Sequence, residues 1–253
     1  MFRVYALEAR SEFLKLARMR TYTISTLLFP LMFYGFFGLA MGRQAVEGFP
    51  VPMARYLLAT YGAFGVIGAA LYAFGVGVAV ERGLGWLQVK RASPMPPAAY
   101  FTAKLAVSMA FGGAVVVLLF VTGALFGGVT MPLSQWLLMG AALILGSAPF
   151  CAMGLVIGCF AGPNSAPATV NMIYLPMSFC AGLWIPFAFL PPFLQRIGPL
   201  LPGYHLAQIA LAILHAPSEG SVWSHVMALA AFTMIFTGLA WVGLSREREK
   251  MYG

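Results

Sequence analysis

Six long apolar stretches constrain this chain more than any other feature of its sequence. Each holds about 20 residues or more, which lets a helix rising about 1.5 Å per residue cross a hydrocarbon core roughly 30 Å thick. Charged residues make up 9% of the chain, against roughly 25% in an ordinary soluble domain. We therefore predict an all-α membrane protein that forms a single domain over residues 1–253. Its six transmembrane helices are expected near residues 22–41, 56–80, 102–126, 136–160, 168–187 and 222–244.

The basic residues predict the orientation of these spans. An even number of spans places both termini on one side, and twelve of the fifteen Lys and Arg residues then fall on that side. Short cytoplasmic loops are rich in Lys and Arg, so we expect both termini in the cytoplasm. The net charge of +8 is thereby explained as a topology signal, and we predict no binding to nucleic acid.

Residues 2–20 predict an amphipathic helix that lies flat in the membrane interface, with membrane lipid as its partner. The apolar residues of this segment share one helical face, whereas Glu8, Ser11, Lys15 and Arg18 share the opposite face. A solvated lead-in to the first span is the alternative.

Two connections between spans are longer than turns. The cytoplasmic connection, residues 81–101, predicts a short amphipathic helix that Pro94 ends, because proline cannot continue a helix. The external connection, residues 188–221, is apolar and rich in proline. It predicts short helices that re-enter the outer leaflet where protein covers them, with an ordinary exposed loop as the alternative.

Small residues inside the spans predict close packing. The spacing Gly154-x-x-x-Gly158 lets helix backbones approach each other closely. Cys151, Cys159 and Cys180 lie in apolar runs without the spacing of a zinc site, and we interpret them as buried packing residues.

The sequence offers little that supports catalysis or ion coupling. It contains no aspartate, and its seven carboxylates lie outside the interiors of the predicted spans, whereas ion-coupled carriers need an ionisable group near the bilayer centre. Lys104 and His225 come closest, and we interpret both as snorkelling to the headgroups. His205, His215 and His225 are ten residues apart, so no two occupy adjacent helical turns and no metal site is predicted.

A nucleotide site is also not expected on this chain. The sequence has no Gly-x-x-x-x-Gly-Lys-Ser/Thr loop to hold phosphates. We therefore predict no catalytic residue, no resident cofactor and no enzymatic activity of the chain by itself. If the protein moves a substrate uphill, a partner must supply the energy.

Two motifs carry a resemblance to a known family. They are Glu81-Arg82-x-x-Gly85-x-Leu87 with Ser93-Pro94, and the segment from Pro176 through Trp184 and Pro186 to Pro202. Together with the predicted spans they resemble the type-2 ABC transporter permeases, the membrane subunits of bacterial ABC exporters, over nearly the whole chain. The sequence departs from the family at Gly83, where an acidic residue is frequent, and at Trp86, where a small polar residue is usual.

The resemblance implies the partners of an exporter. Two permease copies would lie side by side in the bacterial inner membrane, above two cytoplasmic ATPase subunits that bind ATP and Mg. Residues 81–101 would hold the coupling helix that docks on the ATPase. The cargo would be hydrophobic or amphipathic, such as a drug, a lipid, a glycolipid or a glycan. A structural or regulatory membrane partner of an ATPase that moves no cargo is the alternative.

The resemblance also implies which residues take part. ATPase coupling is expected of Glu81, Arg82, Gly85, Trp86, Leu87 and Pro94. We hypothesise that Glu81 and Arg82 orient this segment by ion pairing or helix capping. The substrate path is expected to include Tyr61, Phe64, Tyr72, Tyr174, Met177 and Phe179, with packing between helices as the alternative for each of them.

Overall fold

The computed structural model describes residues 2–40 and 51–252, and within these ranges every regular element is a helix. The all-α prediction is therefore confirmed for these residues. The α-helices are α1 (Phe2–Arg18), α2 (Arg20–Phe33), α3 (Met53–Leu71), α4 (Gly77–Gly83), α5 (Trp86–Ala92), α6 (Pro97–Leu125), α7 (Leu133–Leu145), α8 (Ala148–Phe160), α9 (Ala166–Cys180), α10 (Pro192–Ile197), α11 (Pro202–Ile213) and α12 (Val222–Tyr252).

Five helical stretches of the described chain are long and apolar enough to cross a membrane. They are Tyr22–Leu39, Met53–Gly83, Ala98–Leu125, Leu133–Phe160 and Val222–Ser245. These stretches overlap five of the six predicted spans, and the chain is a multi-pass membrane protein. The remaining predicted span, 168–187, corresponds to α9, which has 15 residues. The count of six spans stays a prediction.

Helix α9 stops short of the predicted boundary because its end is capped. Gly182 has a φ of +73°, and its N–H donates to the carbonyl oxygen of Phe179. The N–H of Leu183 donates to the carbonyl oxygen of Ser178. These two bonds form a Schellman cap, which ends a helix at a glycine in the left-handed conformation. The predicted boundary at residue 187 is therefore wrong.

The second span is the central column of the fold. Helix α3 is buried along almost its whole length and packs against α2, α6, α8 and α11. A π-helical turn, Tyr72–Val76, joins α3 to α4, and a second π-helical turn, Tyr34–Leu39, extends α2. Such turns add one residue to a helical turn and are frequent at functional sites.

Glycines let α8 lie directly against this column. A Cβ on Gly154 would come within 2.9 Å of the Cβ of Phe74, and a Cβ on Gly158 within 2.8 Å of the Cβ of Val78. Side chains at these two positions would force the helices apart. The close packing predicted from the spacing of these glycines is confirmed.

Both long connections contain short helices. Residues 81–101 hold α5, which ends at Ala92, and α6 begins at Pro97. Residues 188–221 hold α10 and α11 with a single turn of 3-10 helix at Gly198–Leu200, and a further 3-10 turn at Phe187–Phe189 leads into this connection. Both connections therefore contain short helices, whereas the coupling role of the first and re-entry of the second into the membrane stay predictions.

Candidate functional site

Six charged side chains meet where α1, α4, α5 and the start of α6 come together. Three are carboxylates and three are ammonium groups, so their formal charges cancel. Helix α1 supplies three of them because positions 8, 12 and 15 share one helical face. We call this set the ionic junction, and it consists of Glu8, Glu12, Lys15, Glu81, Lys90 and Lys104.

Lys104 is the most deeply buried cation of the ionic junction. Its Nζ lies 3.2 Å from Oε2 of Glu12 and 3.1 Å from Oε1 of Glu81, and 2% of its side chain is exposed. Moving a charge out of water costs several kcal/mol unless the charge is well paired, so these carboxylates are what allow a lysine here. The expectation that Lys104 snorkels to the headgroups is wrong, because its ammonium group turns into the protein.

Lys15 and Lys90 extend the ionic junction toward the surface. Lys15 lies 2.6 Å from Glu12 and also pairs with Glu81. Lys90 pairs with Glu8 and lies 3.1 Å from Glu12. Each of the three lysines therefore contacts two carboxylates. Through these contacts the N-terminal helix is tied to the start of the 81–101 connection at Glu81 and to α5 at Lys90.

The charges of the ionic junction shift two pKa values outside the spans. Burial raises the pKa of Glu12, but Lys104, Lys15 and Lys90 outweigh this effect and lower the pKa from 4.5 to about 2. Burial lowers the pKa of Lys90, but hydrogen bonds to Glu8 and Glu12 outweigh it, and the pKa of Lys90 is raised. Both groups are therefore ionised at neutral pH.

Helix α1 forms as predicted, but its charged side does not face away from the protein. Glu12 is buried, and its neighbours Glu8 and Lys15 join it in the ionic junction. Leu7 and Leu14 lie exposed instead. Glu8 and Lys15 of the predicted charged face thus pair within the fold, and the position of α1 flat in the membrane interface stays a prediction. The available sequence signal was the i, i+4, i+7 spacing of these charges in a chain with few charges.

Arg82 caps the C-terminal end of α8. Its guanidinium donates to the backbone carbonyl of Cys159 and, at 2.6 Å, to the carbonyl of Ala161. The last carbonyls of a helix lack partners within the helix and carry partial negative charge, so a cation placed there is stabilising. Ion pairing by Glu81 and capping by Arg82 are thus present, while their role toward an ATPase stays a prediction.

The remaining predicted coupling residues lie on or near the surface of the 81–101 connection. Gly85 has a φ of +74°, a conformation that glycine adopts without strain, and it turns the chain from α4 into α5. Trp86 is 56% exposed, and Pro94 is exposed as well. Leu87 packs partly against the core. The turn at Gly85 therefore places Trp86 at the start of α5, at the surface of the fold and beside the cavity described next.

A cavity of about 1010 Å³ lies beside the ionic junction. Helices α1, α2, α5 and α9 and the second span contribute to its wall. Glu12 and Lys15 line it together with other members of the ionic junction, and Phe29, Pro30 and Leu175 provide apolar wall. Its volume is at the upper end of the range for sites that bind small organic molecules. The cavity therefore offers both charged and apolar surfaces to one ligand.

Two of the six predicted path residues line this cavity, namely Tyr72 and Tyr174. Tyr61 and Phe64 are fully buried between helices, and Met177 is buried as well. The Phe64 ring stacks on Tyr174 with centroids 4.8 Å apart, so Phe64 supports the cavity wall from behind. The sixth residue, Phe179, packs edge-on against Trp184 and is not among the lining residues.

Sequence reasoning missed the uncharged polar residues of the cavity. Ser25, Thr26 and Asn171 line it, and the Tyr72 hydroxyl donates to Oδ1 of Asn171 at 2.7 Å. A polar side chain is costly in an apolar environment unless it is hydrogen-bonded. Their position inside long apolar runs was the signal that could have identified them.

The histidines show one contact that their spacing did not predict. His205 of α11 and His225 of α12 touch each other, and His225 is 6% exposed, so snorkelling is wrong for His225. Among the described residues, no group of three or more His, Cys, Asp or Glu side chains is placed to hold a metal ion. Cys151 and Cys159 are buried, as interpreted from the sequence, whereas Cys180 is half-buried.

The fold and site together define a multi-pass helical membrane protein with an ionic junction beside a large cavity. The family model for ABC-2 type transporters matches residues 5–215, and the chain belongs to this family. The chain is also similar to a Bacillus subtilis (strain 168) protein named as a transport permease, YvfS. The two are 26% identical over 226 residues, which cover 89% of this chain and 91% of that protein. The resemblance to type-2 ABC permeases is confirmed, and it implies association with an ATPase subunit.

Proposed function

We propose that this chain is the membrane-spanning subunit of an ATP-driven exporter in a bacterial inner membrane. A second, identical permease and two cytoplasmic ATPase subunits complete the transporter, and both termini lie in the cytoplasm. ATP and Mg are bound by the ATPase subunits, and this chain carries no cofactor. Membership of the ABC-2 family supports the transport role.

The observation that carries this proposal is the wall shared by the cavity and the 81–101 connection. Leu84, Trp86 and Lys90 all line the cavity. Lys90 also pairs with Glu8 and Glu12 of α1, and α1 forms another side of the same cavity. A displacement of α5 by an ATPase is therefore passed directly to two sides of the cavity.

The cavity wall supports a hydrophobic or amphipathic cargo. Aromatic and aliphatic side chains such as Phe29 and Leu175 accept apolar surface, and Asn171 and the ionic junction accept a polar head. Drugs, lipids and glycolipids share this division into polar and apolar parts. Export is the direction used by the bacterial permeases that the sequence resembles.

The surface that meets the ATPase is proposed to include Trp86 and Pro94, because both are exposed next to the ionic junction. Exposed tryptophan is favoured at protein interfaces, where a large apolar ring with a polar N–H contributes much of the binding energy. Glu81 and Arg82 hold this surface in place from inside the fold.

The test is recovery of the complex from native membranes in mild detergent. A tagged wild-type chain is expected to bring down a soluble subunit with a P-loop, identified by mass spectrometry, whose ATP turnover rises with amphipathic cargo. Trp86→Ala is expected to reduce this recovery at least tenfold. The matched control is Trp223→Ala, which removes a tryptophan that is 77% exposed at the start of α12 and is expected to leave recovery intact.

Two outcomes would reject the exporter. Recovery of the wild-type chain without an ATPase would favour a structural role in the membrane. Recovery of an ATPase whose turnover ignores every amphipathic cargo, in a complex that moves none of them across a vesicle membrane, would favour a regulatory role. If Trp86→Ala and Trp223→Ala reduced recovery of the ATPase equally, the ATPase would remain the partner, but α5 would be rejected as its docking surface.

A further inference from the structure

His205 and His225 meet at the end of the fold opposite the ionic junction. Their Nδ1 atoms lie 2.8 Å apart, and the ring centroids are 5.1 Å apart, so the rings touch by their edges. The N–H of Phe187 in the same region donates to the Tyr56 hydroxyl near the start of the second span, whereas Glu81 lies at the other end of that span. About 25 residues of helix separate these ends, which is roughly 38 Å.

The outer nitrogen of each imidazole is also engaged. Nε2 of His205 lies 3.0 Å from the carbonyl oxygen of Pro199, and Nε2 of His225 lies 2.6 Å from the carbonyl oxygen of Glu219. A carbonyl oxygen can only accept a hydrogen bond. Both Nε2 atoms therefore carry a proton and act as donors.

Two neutral imidazole rings carry one proton too few to make all three of these contacts hydrogen bonds. A neutral imidazole carries a single N–H, which both rings already use at Nε2. Two neutral rings would then face each other through Nδ1 lone pairs at 2.8 Å, with no hydrogen between them. One additional proton converts this contact into an Nδ1–H donor and an Nδ1 acceptor. The geometry therefore requires three protons on four nitrogens.

We infer that His205 and His225 form a binding site for one proton, which is shared between their Nδ1 atoms and fastens α11 to the start of α12. Pro199 and Glu219 hold the outer edges of the two rings. The proton therefore also joins the segment before α11 to the loop before α12.

The groups around the pair suit a single positive charge. The Glu219 carboxylate is the nearby anion, and it accepts a hydrogen bond from the Tyr204 hydroxyl at 2.8 Å. The Tyr204 ring packs edge-on against both imidazoles, and Tyr56 of α3 lies next to Tyr204 and Glu219. The side-chain oxygen of Gln208 on α11 accepts a hydrogen bond from the backbone N–H of Glu219, which holds Glu219 against α11.

A second proton is disfavoured on this pair. Burial and then the charge of His225 lower the pKa of His205, which the carbonyl of Pro199 does not offset. The second proton would bind more weakly than to a free histidine, so forcing it on at acid pH costs stability. The case for the shared proton is geometric, because its removal at alkaline pH would leave two Nδ1 lone pairs facing each other at 2.8 Å.

The direct test is to count the protons by NMR. The chain has three histidines, and His215→Asn removes the third one while Asn tolerates the positive φ of 52° at that position. Full-length protein in nanodiscs, labelled with ¹⁵N-histidine, is expected to show three ring N–H groups per pair at pH 7 and a coupling across the Nδ1–H···Nδ1 bond. Two N–H groups per pair without that coupling would overturn the inference.

A second test uses stability and a variant that needs no shared proton. In His205→Asn the side-chain amide N–H can donate to Nδ1 of a neutral His225, so the variant is expected to fold and to lose the fall in thermal midpoint that the wild-type protein shows as pH rises. His215→Asn is the control and is expected to keep the wild-type pH dependence. An identical alkaline dependence in wild-type and His205→Asn proteins would reject the shared proton, whatever the outcome for the exporter.

Discussion

Nζ of Lys104 lies 3.1 Å from Oε1 of Glu81, and both side chains are shielded from water. Glu81 is near the end of the second span and Lys104 is near the start of the third, so this pair closes the 81–101 connection at its base. The hydroxyl of Tyr100 donates to the other oxygen of Glu81. The connection that is proposed to meet the ATPase is thus held to the membrane-spanning helices by buried charges.

Removal of Lys104 is expected to destabilise the fold strongly. Lys104→Met leaves Glu12 and Glu81 buried with one cation fewer, and breaking a buried pair in this way costs about 3–5 kcal/mol. The thermal midpoint of the purified protein measures the loss. Arg18→Gln, on the exposed surface of α1, is the control and is expected to change the midpoint little. Adding Glu81→Gln to Lys104→Met is expected to restore part of the loss, and equal midpoints for Lys104→Met and Arg18→Gln would contradict the prediction.

The stability of the protein is expected to fall in acid through Glu12. The pKa of Glu12 is lowered from 4.5 to about 2 in the fold, so its contribution is present above about pH 4.5 and is lost as pH falls toward 2. This difference corresponds to about 3 kcal/mol at neutral pH. Denaturant titrations between pH 2 and pH 7 measure it. Glu12→Gln is expected to be less stable at pH 7 and to depend less on pH below 4.5, and a variant with the wild-type dependence would disprove the assignment.

Gly85 is expected to tolerate asparagine better than alanine. Its φ of +74° places an alanine Cβ close to the following carbonyl and costs about 1–2 kcal/mol, whereas asparagine enters this conformation more readily. Gly85→Ala is expected to reduce both the thermal midpoint and the recovery of the ATPase, with Gly85→Asn closer to wild type. Equal behaviour of the two variants would show that the turn into α5 does not need this conformation.

Filling the cavity is expected to abolish the response to cargo. Ser25 lines the cavity, so Ser25→Trp places an indole inside it, whereas the neighbouring Ile24 is 56% exposed and is not a lining residue. Stimulation of ATP turnover by amphipathic cargo is the measurement. Ser25→Trp is expected to lose the stimulation and Ile24→Trp to retain it. Full stimulation in Ser25→Trp would place the cargo elsewhere.

The helices were largely predictable from the sequence because the apolar residues that form a membrane-spanning helix are contiguous in the chain. An apolar run of about 20 residues has few other stable arrangements in a bilayer, since every backbone polar group must be satisfied within the segment. The boundary of α9 was missed because a single glycine decides it. Gly182 ends the helix through backbone bonds that apolar content does not reveal.

The candidate site was less predictable because its contacts join distant parts of the chain. Arg82 and Glu81 were identified by their motif, but their partners at Ala161 and Lys104 depend on how the helices pack. The same holds for His205 and His225, which are 20 residues apart on separate helices. Periodicity shows which residues share a face of one helix, but it does not show which residues of another helix pack against that face.

The double pairing of each lysine in the ionic junction has a mechanical consequence. When one contact of Lys15, Lys90 or Lys104 lengthens, the lysine keeps a second carboxylate. Helices α1, α5 and α6 can then slide past one another by about the length of a hydrogen bond without leaving a buried charge alone. In the proposed exporter, these duplicate ion pairs would let α5 shift when the ATPase moves it, while each lysine keeps one carboxylate partner.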